Sequence, residues 1–286
     1  MQPFDSLDKL ENAAELDQLA KPIREFLNKK IQPQSLRDAL HGVWLGHPLH
    51  PVLVQVPVGA WLSAGVLDLV PKTGPATSVL IGTGLAAAGP ATITGWTDWS
   101  ELNTAESRLG VVHALANYAA VGLYGASLWA RLRGRRMRGK ALAYAGLAIV
   151  SGSGVLGGHL SFRRAVGANH TADVPDLLPS GWTSVGRLDD LPDGGLTCVD
   201  VGPVPVLLHR EGDLVRAIVD RCSHLSGPLH EGELVQAGGE TCVSCPWHGS
   251  TFRLRDGSVV HGPATAPQPM LDTRVVDDDV EVRLRG

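Results

Sequence analysis

The sequence predicts an α + β multidomain protein: an N-terminal four-helix transmembrane bundle followed by a C-terminal all-β domain. Three observations carry that prediction. Between residues 51 and 158 lie four apolar stretches, each close to the ~20 residues that cross a bilayer. From Trp182 onward, runs such as LTCVDV, VPVLLHR and LVRAIVD alternate with Gly- and Asp-bearing turns, the texture of strands and hairpins. Within that second region two short segments, CSH and CPWH, each combine a cysteine with a histidine.

Length and charge set the bounds. A chain of 286 residues suits two modest domains, and a net charge of −4 gives no argument for nucleic acid as a partner. The pattern divides the chain into an amphipathic N-terminal segment (1–45), the membrane domain (46–165), a linker (166–180) and the β domain (181–286). In the first segment Leu7, Leu10, Ala14, Leu16, Leu19, Ile23 and Phe26 recur at helical spacing, and Pro22 is expected to interrupt the helix. Such a helix packs on its own protein or lies on the membrane surface. The polar first forty residues show no secretory signal pattern.

The four apolar stretches run over 51–70, 76–95, 109–130 and 141–158. The second, ATSVLIGTGLAAAGPATITG, is dominated by small residues that let helix backbones approach closely in lipid. Short polar turns between them predict antiparallel crossings, a multi-pass protein of the cell membrane with the lipid bilayer as its first partner. Gln55 and Asp68 interrupt the first stretch, which keeps a soluble helical bundle as the competing reading.

Histidines in or beside membrane helices are costly, so they are candidate functional groups. His47 and His50 (GHPLHP) open the first helix, His113 lies early in the third, and His159 (GGHL) closes the fourth. Antiparallel crossings bring them to one membrane face, together with Trp96, Asp98 and Trp99. Three uses are open: two imidazoles ligate a b-type haem, the group lines a quinone site where imidazoles exchange protons with a quinol, or they hydrogen-bond across helices. The basic loop RLRGRRMRGK is expected to stay in the cytoplasm, which places the β domain on the extracytoplasmic side. Arg135 and Arg136 before the last helix agree with that, as a twin-arginine signal. Cys198 and Cys242, expected to be packed thiols, suit a reducing compartment instead.

In the β domain Cys222 and His224 form C-x-H, and Cys245 and His248 form C-x-x-H. Two Cys and two His also satisfy tetrahedral zinc, but zinc modules usually pair like with like. Loops that each bring one thiolate and one imidazole suit two bridged irons, one bound by Cys and the other by His. These spacings, with CPWHG and GPL around them, resemble the Rieske [2Fe–2S] family. The resemblance covers the β domain. It implies a [2Fe–2S] cluster held by Cys222, His224, Cys245 and His248, whose imidazoles are expected to face solvent. Ser250 would hydrogen-bond the cluster, Trp247 would stand beside it, and Pro263 would lie in the loop that covers it.

Rieske proteins of the quinol-oxidising cytochrome bc complexes link the two loops by a disulfide. Here Gly227 and Trp247 stand at those positions, and Phe252 replaces a tyrosine, so the domain is more similar to Rieske ferredoxins, with a potential below the bc type. His230 fits no ligand position and is expected to be a surface or packing residue. Residues 40–170 resemble an uncharacterised family of four-helix bacterial membrane proteins marked by GHPLHP, GWTDW and GGHL. The rest of the chain has no room for a 2-His-1-carboxylate oxygenase site, and no catalytic residue is assigned. The expectation is a membrane-anchored Rieske electron carrier with an unidentified redox donor and acceptor, fed by quinol or haem. The alternatives are a ferredoxin component serving a separate oxygenase or reductase, and a redox sensor.

Overall fold

The computed structural model describes residues 5–285. The chain folds as two units: residues up to 32 join 49–166 in a helical unit, and residues 33–48 join 167–285 in a β unit. The short helix α3 (Gln34–His41) therefore belongs to the β unit.

In the helical unit, α1 (Asp5–Glu11) and α2 (Asp17–Lys30) stand where one interrupted helix was expected. The break falls at residues 12–16, and Pro22 lies inside α2. A proline there forfeits only the bond to the Gln18 carbonyl, which one early turn tolerates. Ala20, Ile23 and Leu27 pack with Trp99, Leu102 and Val111, so this segment lies on its own protein. Arg108 fixes it by pairing with Asp17 at 2.8 Å.

Among the described residues, four helical segments are long and apolar enough to cross a membrane: Leu49–Leu67, Gly74–Trp99, Thr104–Leu132 and Arg136–Arg163. The first comprises α4 (Leu49–Leu53) and α5 (Gln55–Leu67). Pro57 has no N–H for the Leu53 carbonyl, and the helix is interrupted at Val54. Then follow α6 (Gly74–Trp99), α7 (Thr104–Leu132) and α8 (Arg136–Gly158), the last extended by a π-turn over His159–Arg163. The small residues of α6 serve the close approach expected of them. A Cβ at Gly84 would collide with the Trp61 ring, and Trp61 in turn stacks on Tyr124 with ring centroids 4.2 Å apart. Asp68, which breaks the first apolar stretch, is buried and ion-paired: Arg131 Nη1 donates to its Oδ1 at 2.9 Å, and Lys140 donates to its carbonyl.

The β unit begins with α3 (Gln34–His41) and resumes after residue 166, with a short helix α9 (Val174–Leu177) before the strands. Its ten strands are β1 (Thr183–Arg187), β2 (Leu196–Val201), β3 (Val204–Glu211), β4 (Leu214–Val219), β5 (Glu233–Ala237), β6 (Glu240–Ser244), β7 (Thr251–Arg253), β8 (Val259–His261), β9 (Met270–Val276) and β10 (Asp279–Leu284). One antiparallel sheet has the order β1-β10-β9-β4-β3-β2, and a second has the order β5-β6-β7-β8. Alternation sends one face of β3 and β4 (Val206, Leu208, Val219) into one core. The other face (Leu207, Ile218) packs with Val243 and Phe252 of the small sheet, with Leu254 just past β7, and with Cys222 and Cys245. The two cysteines thus cap a dry apolar core.

Candidate metal centre

Two loops built to the same plan carry the Cys/His motifs. The first links β4 to β5, and the second is the β6–β7 connection. Cys222 N–H donates to the Gly227 carbonyl (2.9 Å), and the Cys222 carbonyl accepts from Ser226 N–H (2.8 Å). Cys245 repeats both bonds with Ser250 (2.8 Å) and Gly249 (3.0 Å). The fourth residue past each cysteine has positive φ, 64° at Ser226 and 73° at Gly249. Closing each loop demands a left-handed turn there, which glycine meets without strain.

The loops bring the four motif residues together. All four cysteines of the chain are free, as expected for Cys198 and Cys242, and the Cys222 and Cys245 thiols share a hydrogen bond. Cys222 as donor holds Cys245 down at about 7, while Cys222 itself is pushed up by that bond and by burial. Backbone N–H groups of His224 and Leu225 favour the Cys222 thiolate, and those of Trp247 and His248 favour the Cys245 thiolate. The His224 and His248 rings lie 5.0 Å apart at 88°. Burial, and then the neighbouring His248, His41 and His170, press His224 down to about 3, so its imidazole is neutral as a ligand must be. Its Nδ1 is buried with no hydrogen-bond partner among the described residues. Two thiols in hydrogen-bond contact, a buried unsatisfied ring nitrogen in the first loop and a second imidazole 5.0 Å from the first fit the two Cys and two His that a two-iron centre requires.

The residues around this set hold it in place. Ser250 is fully buried, and its Oγ accepts from Ala264 N–H at 2.9 Å, tying the second loop to the segment that carries buried Pro263. Trp247 is 52 % exposed, and its ring lies 3.1 Å from where a Gly227 Cβ would stand, while the Cys245 sulfur would be 2.8 Å from that Cβ. Glycine at 227 is therefore required by close approach, and the tryptophan packs across the loops where the bc-type proteins place their disulfide. Both imidazoles are only partly exposed, less open than the solvent-facing rings expected.

Several residues at the site carry no motif and escaped the sequence reading. Gln268, 2 % exposed, donates to the Val219 and Arg221 carbonyls (2.8 and 2.9 Å) and accepts from Ser223 N–H (2.8 Å). It pins the first loop from the covering segment. Asp220 accepts from His230 N–H and His230 Nδ1, both at 2.7 Å, and from the Cys198 thiol at 3.7 Å. His230 is thus a packing residue, as expected. A cysteine two residues ahead was the only sequence signal for Asp220, and none marked Gln268.

The membrane histidines have different surroundings. His159 Nε2 is 2.9 Å from Glu11, and His47 is exposed in the β unit. His50 and His113 remain within electrostatic reach of each other. His50 Nδ1 donates to the Ala91 carbonyl (2.8 Å) and packs against Gly95, and His113 Nδ1 donates to the Ser153 carbonyl (2.9 Å) and packs against Gly157. A carbonyl partner fixes the proton on Nδ1 and leaves the lone pair on Nε2. At His113 that lone pair accepts from Asn117 Nδ2 at 3.1 Å. At the same end Trp96 Nε1 donates to the Tyr118 hydroxyl (2.8 Å) and Trp99 Nε1 to the Ser107 carbonyl (2.8 Å).

Comparison with known proteins agrees with this geometry. Residues 181–276 match the model of the Rieske [2Fe-2S] domain, and residues 46–170 match that of a predicted membrane protein family (DUF2231). The ferredoxin subunit of 3-phenylpropionate/cinnamic acid dioxygenase from Photorhabdus laumondii is 35 % identical over 98 residues, 34 % of this chain and 90 % of that protein. The anthranilate 1,2-dioxygenase ferredoxin subunit from Burkholderia cepacia is 33 % identical over 103 residues, 36 % of this chain and 92 % of that protein. Among solved structures, the ferredoxin of carbazole 1,9a-dioxygenase from Nocardioides aromaticivorans IC177 is 31 % identical, with a TM-score of 0.34, covering 37 % of this chain and 100 % of its own. The chain therefore joins a Rieske [2Fe–2S] electron-transfer domain of the ferredoxin type to a membrane domain of the DUF2231 family.

Proposed function

We propose that Cys222 and Cys245 hold one iron of the [2Fe–2S] cluster and His224 and His248 the other, and that the membrane domain anchors this one-electron carrier and supplies its electrons from a quinol. The observation that carries the ligand assignment is the unsatisfied, buried His224 Nδ1 in the loop of one of the paired thiols. The cluster, when bound, stores one electron, so oxidation of one quinol to quinone would reduce two clusters in turn and release two protons, while Ser250 and the loop amides would supply the hydrogen bonds that set the potential.

His50 carries the quinol reading. Its Nε2 lone pair can accept a quinol hydroxyl proton, whereas the His113 Nε2 is already engaged by Asn117. A bis-imidazole haem needs both lone pairs, which favours the quinone site over haem. The basic loop at 131–140 supports an extracytoplasmic Rieske domain. Detergent-purified protein is expected to show a rhombic EPR signal on reduction, and a quinol analogue is expected to reduce the cluster in wild type and not in His50→Ala. A silent EPR spectrum sinks the cluster assignment, and equal reduction in both proteins sinks the quinol site.

The dioxygenase ferredoxin relatives support a second reading, in which a soluble reductase feeds the cluster and a separate oxygenase drains it. Rapid reduction by such a reductase with none by quinol would select it. A redox sensor would show neither at a useful rate.

A further inference from the structure

The segment ahead of the first membrane helix is built into the β unit at the loop that covers the cluster site. Asp38, on α3, uses both carboxylate oxygens: Oδ1 accepts from Gly262 N–H and Oδ2 faces His261 Nδ1, each at 2.9 Å. Gly262 precedes Pro263, and a Cβ on it would lie 3.0 Å from Val43 and 3.5 Å from His41. His41 is 2 % exposed and within electrostatic reach of His224. At the other end of the segment, Pro48 lies 3.5 Å from where a Gly167 Cβ would stand, at the start of the linker. That linker also reaches the site, since His170 N–H donates to the Ser223 carbonyl at 3.0 Å. Asp38, His41, Val43, Pro48, Gly167 and His170 all lie outside the 181–276 matched to the Rieske family.

We propose that residues 33–48 complete the cluster site, with Asp38 as a positioning residue that holds the 261–264 loop closed and His41 as the side chain that walls off the His224 side. The inference rests on the ligand assignment above. It makes the environment of the cluster depend on a segment some 220 residues away in sequence and directly continuous with the first membrane helix. A buried imidazole packed on the loop excludes water from the His224 edge. The doubly used carboxylate keeps the loop from opening, since a bond to a charged acceptor is among the stronger ones a loop can make.

The test uses the full chain in detergent, comparing wild type with Asp38→Ala, Asp38→Asn and His41→Ala. Two readouts are taken, the g-values of the reduced cluster by EPR and the rate at which a ferrous chelator strips the iron. Asp38→Ala is expected to release iron roughly tenfold faster, the size of losing one charge-assisted hydrogen bond from a loop that must open. Asp38→Asn keeps an acceptor for Gly262 N–H and is expected to fall between that and wild type. His41→Ala is expected to shift the g-values as well as speed release. Wild-type spectra and release rates in all three variants overturn the proposal. If Asp38→Ala accumulates without iron, Asp38→Asn decides: intermediate release supports the clamp, and a wild-type rate and spectrum refute it. A wild-type protein with no rhombic signal refutes the ligand assignment instead, so the two failures are distinguishable.

Discussion

Replacing Gln268 by leucine removes three hydrogen bonds from the first motif loop while keeping a side chain of similar bulk. The Val219 and Arg221 carbonyls and the Ser223 amide lose their partner at a site only 2 % exposed, where water enters poorly. At about 1 kcal/mol for each orphaned group, the low end of the range, the cost is about 3 kcal/mol. For a domain of this size each 1 kcal/mol moves the midpoint by about 4–8 °C, so a fall of roughly 12–24 °C is expected. The assay is bleaching of the cluster absorption in detergent-purified full chain, heated at one fixed rate because loss of iron is irreversible. A variant that bleaches within about 3 °C of wild type would refute the claim that Gln268 pins the ligand loop.

Four further outcomes follow from the same structure. Gly227→Val is expected to lower iron content sharply, since its Cβ would meet the Cys245 sulfur at 2.8 Å; full iron occupancy would contradict the close approach. Arg131→Ala strands the buried Asp68 carboxylate and is expected to cost roughly 3–5 kcal/mol, read as loss of folded protein in detergent, with Asp68→Asn in the same chain recovering part of it. His50→Ala is expected to abolish quinol-driven reduction while His159→Ala, whose ring is committed to Glu11, leaves it measurable. Burial raises Asp256, but Ser258 and Arg253 outweigh it and hold the carboxyl at about 2. The folded value lies below the unfolded ~3.9, so this stabilisation is complete above that pH and is lost as pH falls towards 2. Asp256→Asn should therefore flatten the acid limb of an unfolding titration followed by tryptophan fluorescence.

Much of this protein was legible in one dimension. The four long apolar helices show in the sequence because a helix able to cross a membrane must be apolar over its whole length, whatever it packs against. The Cys/His set shows because metal chemistry restricts both residue type and spacing within each loop. The N-terminal helix was misjudged at Pro22 because proline near a helix start costs only one bond. The membrane histidines looked like one group because helix counting locates an end of a bundle and says nothing about which rings find partners. Glu11 claims His159, and the Ala91 carbonyl orients His50.

The sequence by itself thus determined the two domain types and the four candidate donors, since both follow from local composition and spacing. Only the tertiary structure decided what surrounds those donors. Gln268, Asp220, Asp38 and His41 carry no periodicity or motif; the first three act through hydrogen bonds made across 10 to 224 positions of chain, and His41 through its packing against Gly262. Contacts of that kind depend on how the chain closes on itself, which no local pattern records.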